Sequence, residues 1–266
     1  MRQDDLNRTD FDEKFAEYPS LRDRVVLISG GASGIGEKIV EAFARQSARV
    51  VFLDVQDEAA GRVVRRVLEE GFSAPTYLHC DITEVNALRQ CTKEAAESFG
   101  TIDVLVNNAG NDTRHTIEEV TPEYWDTAID VNLKHQFFLT QAAIPFMKAA
   151  GRGSIINMSS ISWVIPSVGL PVYVTAKAAI AGLTRTLAHE LGPYNIRVNC
   201  VMPGAIETER QKLLWYTEAY VQHVLSSQAL KRMILPEEVA RLVLFLAADD
   251  SAAITNQCHI IDGGWV

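Results

Sequence analysis

No CxxC pair and no metal-ligand spacing can be drawn from the four cysteines, Cys80, Cys91, Cys200 and Cys258. A chain of 266 residues with 47% apolar content also has core enough without bridges, so they read as reduced thiols. No run of roughly 18 apolar residues occurs, the length a membrane-crossing helix needs. Basic residues are in the minority: 25 Lys and Arg against 34 Asp and Glu leave a formal charge of -9. Nucleic acid and anionic membrane surfaces would be repelled by that average surface. A Gly-x-Ser-x-Gly elbow is absent, and His115, His135 and His189 lack ligand spacing, so neither a hydrolase triad nor a metal site is indicated. Small molecules remain as partners.

There is no internal repeat, heptad array or low-complexity tract either. Residues from Met1 to about Ser20 are polar and aperiodic, carrying Asp4, Asp5, Asp10, Asp12 and Glu13, and are expected to form a loose arm over 1–20. With no signal-like apolar stretch in it, a cytoplasmic protein is expected. The remainder, 21–266, reads as one domain. Short β-branched runs predict strands at Val25–Ile28, Val50–Leu53, Thr76–Cys80, Val104–Asn107, Ser154–Met158, Ile196–Val201 and Cys258–Ile261. Amphipathic segments between them predict helices at Gly36–Gln46, Glu58–Glu70, Asn86–Phe99, Pro122–Ala149, Tyr173–Leu191 and Glu237–Ala247. Alternation of this kind implies an α/β fold, a Rossmann-type doubly wound sheet of seven parallel strands in a three-layer α/β/α sandwich.

What is present in the first βα turn is glycine: Ser29-Gly30-Gly31-Ala32-Ser33-Gly34-Ile35-Gly36. Glycines permit a tight turn and a close approach of backbone amides to a pyrophosphate at the following helix N-terminus. The spacing Gly30, Gly34, Gly36 departs from GxGxxG, and an isolated copy would pass as an ordinary turn. Asp54 closes the second predicted strand, where a carboxylate can hold the adenosine ribose hydroxyls and repel a 2′-phosphate. No Lys or Arg lies in the glycine loop to offset it, so NAD is favoured over NADP. Strand-ending aspartates are also common turn formers.

Tyr173 and Lys177 stand at i, i+4 on one helix face, and an ammonium there would favour the phenolate of a residue whose ordinary pKa is near 10. Alone, YxxxK is a frequent coincidence, a surface Tyr over a solvated Lys. Its company is the glycine loop, Asp81, Asn107-Asn108-Ala109-Gly110, Asn132, Ser159-Ser160, and Pro203-Gly204 with Thr208, all in order. From about Val25 to Trp265 the chain thereby resembles the short-chain dehydrogenase/reductase family. Ser29, where the family usually has Thr, and Asn256, where a Gly often stands, are small departures outside the chemistry.

The resemblance implies that Tyr173 is the proton carrier, that Ser160 polarises the reacting oxygen, and that Lys177 also holds the nicotinamide ribose. It makes Asn132 the support of a water relay. Cofactor contacts are implied for Gly30, Ser33, Gly34, Ile35, Gly36, Gly110, Tyr173 and Lys177, for Asp81 and Ile82 at the adenine, for Asn108 on the adenosine side, and for Ile206 and Thr208 beside the nicotinamide amide. Paired helices in related enzymes, together with the apolar stretches Phe137–Phe146 and Ala178–Leu187, imply a homo-oligomer, a dimer or, preferred, a tetramer.

Substrate choice falls to a lid at about 205–229. Its segment Glu207-Thr208-Glu209-Arg210-Gln211 is polar, which suits a polyhydroxylated substrate or simply the solvent face of a lid helix. Segments Asn108–His115, Ser160–Trp163, Arg210-Gln211 and Leu242–Ala247 resemble bacterial aldose 1-dehydrogenases of the D-xylose type, which oxidise a sugar at its anomeric hydroxyl. On that resemblance Asn111 and Gln211 would bond sugar hydroxyls and Trp163 would offer a flat wall, core packing being the alternative for Trp163. The rival activities are a 3-oxoacyl or other ketone reductase of the same family, and a dinucleotide-binding protein without catalysis.

Overall fold

The computed structural model describes residues 15–266, so positions 1–14 of the expected arm lie outside the described residues. From there the chain is anchored at once. The Tyr18 amide donates to Gln46 Oε1 at 2.7 Å, and a single turn at Pro19–Leu21 buries Leu21 completely.

Seven strands form one all-parallel sheet: β1 (Val25–Ser29), β2 (Arg49–Asp54), β3 (Thr76–His79), β4 (Val104–Asn107), β5 (Gly153–Met158), β6 (Ile196–Pro203) and β7 (Cys258–Ile261). Their order is β3-β2-β1-β4-β5-β6-β7, as the alternation of elements implied. β1 and β4 are buried at every position because helices cover both faces, which is why these strands read as continuous apolar runs. Period-2 alternation divides the core. Val26, Ile28, Phe52 and Val106 face α1 (Gly34–Arg45), α2 (Asp57–Glu69) and the last helix, Pro236–Ala247. Leu27, Val51, Leu105 and Ile155 face α3 (Val85–Phe99) and the two helices that follow β4 and β5.

The predicted helix Pro122–Ala149 is interrupted. It comprises α4 (Pro122–Ile129), a π-helical turn at Asp130–Lys134 and α5 (His135–Ala150). One extra residue per turn leaves the apolar pattern nearly unbroken, so periodicity does not reveal it, although such turns often mark functional sites. α6 (Pro171–Leu191) starts two residues before its predicted start at Tyr173, with Pro171 in the first turn, where its missing N–H costs nothing. Within the lid lie two helices that periodicity did not locate, α7 (Glu209–Trp215) and α8 (Glu218–Ser227), capped by the Thr208 and Thr217 hydroxyls. The last helix is therefore α9.

A buried polar chain bolts these parts together. Asn107 Nδ2 donates to Thr140 Oγ1 at 3.0 Å and to Asn157 Oδ1 at 2.8 Å, and Asn157 Nδ2 donates to Thr184 Oγ1 at 3.0 Å. β4 and β5 are thus locked to α5 and α6. His135, at the start of α5, is fully buried. Desolvation, with the nearby Lys177 charge adding to it, pushes its pKa down from 6.5 to about 3, outweighing the Val131 and Asp130 carbonyls. Between those values the unfolded chain binds a proton that the folded chain refuses, so this contribution to stability is present above pH 6.5 and lost as the pH falls. His135→Gln should flatten that loss, which approaches about 1.4 kcal/mol per pH unit within the window. Melting curves of both proteins between about pH 4 and pH 7.5 check this; parallel curves would contradict it.

Candidate active site

The carboxyl ends of the strands open onto a cleft of about 2350 Å³, several times the volume of an ordinary small-ligand pocket. All the residues expected to hold the dinucleotide line it, together with Asn111, Ser160 and Gln211. Asn132 and Trp163 do not.

β1 ends at Ser29, whose Oγ accepts the amides of Asn108 at 3.1 Å and Ala109 at 3.2 Å, tying the start of the glycine loop to the end of β4. Gly30 and Gly34 take φ of +69° and +60°, a region where a side chain is strained. A Cβ on Gly36 would land on the Gly30 carbonyl and 2.5 Å from Asn108 Nδ2. The loop is thus bare backbone at the N-terminus of α1, a cradle that fits a pyrophosphate. Asn108 has a second task there, since its Nδ2 donates to the Ser29 and Gly30 carbonyls at 3.1 and 2.9 Å. Asp54 is buried at the edge of the cleft, and its carboxylate accepts from Ala32 N–H at 2.9 Å and from the Val55 and Gln56 amides at 2.9 and 3.1 Å. Asp81 closes a local turn on Thr83, with Ile82 beside it.

Tyr173 occupies the first turn of α6, whose partial positive charge favours an anion. In the ligand-free protein, burial dominates and raises its pKa above 10, with the Asp112 charge adding; Ser160 and Arg210 pull the other way. Lys177 Nζ lies 5.4 Å from the Tyr173 ring centroid and donates to the Met158 carbonyl at 2.9 Å. Burial pushes Lys177 down to about 8, which still leaves it mostly charged at neutral pH. Ser160 Oγ accepts the Ser162 amide at 3.1 Å, so its own proton is left to donate toward Tyr173 or a substrate oxygen. Asn132, in the π-turn, accepts the Asn111 amide at 2.8 Å and donates to the Asn111 and Ala128 carbonyls. A Cβ on Gly110 would be 3.2 Å from both Asn132 Oδ1 and Lys177 Nζ, a crowding that a glycine avoids.

On the substrate side the geometry shows pairings that the sequence does not reveal. The Trp163 indole N–H donates to Ser159 Oγ at 3.2 Å, and Ser159 donates to the Lys177 carbonyl at 2.6 Å. Trp163 thus joins a hydrogen-bond chain that ends on the catalytic helix, and it is not among the residues that line the cleft. Gln211 Nε2 reaches Asp112 Oδ2 at 2.5 Å, and Asn111 Oδ1 accepts from Arg210 at 3.0 Å. Arg210 also forms an ion pair with Asp112. Arg114 lies 4.4 Å over the Trp215 ring, a second contact between the loop after β4 and the lid. Asp112, absent from the sequence-based list, is thus the centre of the lid contacts. Its one signal in the sequence is an acid placed two residues past Asn107-Asn108-Ala109-Gly110.

A family profile described as enoyl-(acyl carrier protein) reductase matches residues 30–266. A Rhizobium meliloti protein named as a probable galactose dehydrogenase is 48% identical over 249 residues, covering 94% of this chain and 97% of its own. D-xylose 1-dehydrogenase of Caulobacter vibrioides is 48% identical over 250 residues, 94% of this chain and 98% of its own. A solved structure from Sinorhizobium meliloti, described as a candidate short-chain alcohol dehydrogenase, superposes with a TM-score of 0.88 at 31% identity, covering 93% of this chain and 98% of that one.

Two glycines give the cradle a direct check. Gly36→Ala must open the glycine turn, so the melting temperature should fall by several degrees, about 1–3 kcal/mol, and dinucleotide affinity by more than roughly tenfold. Gly61→Ala, in α2, where a Cβ meets nothing closer than Arg65 at 3.5 Å, should be neutral or stabilising. Thermal melts and a dinucleotide titration would read both, and equal behaviour of the two variants would contradict the steric account.

Proposed function

The chain belongs to the short-chain dehydrogenase/reductase family and is an oxidoreductase acting on CH–OH groups, and from that premise we propose that it oxidises an aldose at its anomeric hydroxyl with NAD. The observation that carries the reading is the rim of the reacting site. Asn111, Asp112, Arg210 and Gln211 surround the approach to Ser160 and Tyr173 with donors and acceptors suited to a polyhydroxylated ring. The names of the two relatives at 48% identity, a galactose and a D-xylose dehydrogenase, support the same substrate class.

The chemistry supplied by NAD when bound is acceptance of a hydride from the substrate carbon. Every other part belongs to the chain. The Ser160 hydroxyl donates to the substrate oxygen and holds it beside Tyr173. Tyr173 Oη takes the hydroxyl proton. The Lys177 ammonium, 5.4 Å from the Tyr173 ring centroid, and the N-terminus of α6 would favour the phenolate that must form first, against the burial that raises the pKa of the phenol. Asn132 holds the loop carrying Asn111 in place and lies beside Gly110 and Lys177, where a water relay from the amine would run. NAD is preferred over NADP in this reading because the Asp54 carboxylate lies at the ribose end of the cradle, where a 2′-phosphate would meet a like charge.

The reading extends to assembly and location. Ile129, Leu133, Phe137, Phe138, Ala179 and Leu183 line an apolar groove of about 430 Å³ between α5 and α6, a surface that fits a second copy in a homodimer or homotetramer. The four cysteines carry no disulfide, as suits the cytoplasm, and no helix among the described residues is long and apolar enough to cross a membrane.

An NAD reduction assay across pentoses, hexoses, polyols and small secondary alcohols tests the proposal. D-xylose or a related aldose should be the best substrate, with a lactone as first product in NMR spectra recorded during turnover. Tyr173→Phe should cost on the order of a hundredfold or more in kcat while dinucleotide binding persists. Turnover of secondary alcohols or hydroxyacyl esters alone would overturn the aldose assignment. A native preference for NADP would overturn the role given to Asp54.

A further inference from the structure

The loop between Asn111 and His115 is fastened at both ends to the catalytic elements. At its start the Asn111 backbone is held by Asn132 through both its N–H and its carbonyl. At its end the His115 amide donates to the Gly169 carbonyl at 2.8 Å, and His115 Nε2 accepts the Val172 amide at 3.3 Å, one residue before Tyr173. Because Nε2 accepts, the ring proton sits on Nδ1, where it faces the Thr113 carbonyl at 3.0 Å, with the Tyr124 hydroxyl at 2.8 Å. The Asn111 side chain also accepts the Thr113 amide at 3.0 Å and tightens the turn. Asn111, Asp112 and Arg114 of this loop line the cleft, and Asp112 is the carboxylate among them.

Asp112 is near enough to the reacting groups for its charge to raise the pKa of both Tyr173 and Lys177. Its side chain keeps 26% of its exposure, and that of its partner Arg210 keeps 45%, so neither is committed to a sealed pair. A carboxylate has about four lone-pair positions. Arg210 and Gln211 occupy one on each oxygen, which leaves both oxygens able to accept again on the cleft side.

We propose that Asp112 is the specificity-determining residue of this site, accepting a hydrogen bond from a ring hydroxyl near the reacting carbon while Arg210 and Gln211 donate to that hydroxyl's oxygen. The inference rests on the aldose reading above and names the group that enforces it. A hydroxyl both donates and accepts, and the Asp112–Arg210–Gln211 cluster asks for both. A hydrogen or methylene in its place leaves charged groups with less hydrogen bonding than they have to water, and is rejected.

The test is a series of monodeoxy aldoses assayed with the wild-type enzyme and Asp112→Asn. In the wild type, removal of one particular hydroxyl should lower kcat/KM by roughly 10- to 100-fold. In Asp112→Asn the parent sugar should fall by a similar factor, and the penalty at that one position should shrink to about threefold or less, while penalties at other positions and the Kd for NAD persist. Should Asp112→Asn fail to fold, Gln211→Ala serves, with a smaller loss of the penalty at the same hydroxyl. A variant that slows the parent and every deoxy sugar by one common factor, or that changes none of them, overturns the assignment and leaves the aldose reading standing. A wild-type enzyme that oxidises no aldose overturns both.

Discussion

An ammonium group that is almost entirely out of water has to be compensated, and much of this molecule is arranged around doing so for Lys177. The residue is 3% exposed, and its pKa falls to about 8 because hydration is lost. The Met158 carbonyl, at the carboxyl end of β5, accepts from its Nζ, and the Gln136 amide shares that carbonyl at 3.2 Å. The π-turn at Asp130–Lys134 brings Asn132 beside it, and a glycine at position 110 leaves the space. Ser159 and Trp163 brace the Lys177 backbone from the other side. The cation that would stabilise a phenolate is therefore held in place by the sheet rather than by the ligand.

That requirement separates the protein into a fixed half and an adjustable one. β1, β4, β5 and the helices behind them are joined by the Asn107–Asn157 amides and by a close-packed core, and they carry Ser160, Tyr173, Lys177 and the glycine cradle. α7 meets this scaffold through side chains that remain partly exposed, the Arg210–Asp112 pair and Arg114 over Trp215, whereas α8 buries Val224. Positioning of the chemistry and selection of the substrate thus reside on different elements, as expected where catalysis needs rigidity and recognition needs entry and release.

The seven strands, their parallel order and most helices were legible because their signals are local, a period of two or 3.6 punctuated by glycine and proline. Gly30, Gly34, Gly36, Asp54, Tyr173 and Lys177 were legible because each stands at a fixed offset within one βα unit or helix. The π-turn was hidden, since one inserted residue hardly alters the apolar pattern around Asp130–Lys134. The bond from the Trp163 indole to the Ser159 hydroxyl was not legible, because residues four apart in a loop meet only through its folded geometry. Asp112 was missed because its meaning comes from Arg210 and Gln211, about a hundred residues further along the chain and adjacent only after folding.

In the free protein burial outweighs the lowering influence of Ser160 and Arg210 and keeps Tyr173 a phenol, and the positively charged ring of bound NAD would lower its pKa toward the range of proton transfer. The most direct test of this account is an NMR titration of protein labelled with 13C at the tyrosine Cζ, with the Tyr173 resonance identified by Tyr173→Phe. In the free protein Tyr173 should ionise above 10, and saturation with NAD should move its midpoint to lower pH. A Tyr173 resonance that titrates at the ordinary value in the free protein and is unmoved by NAD would contradict it.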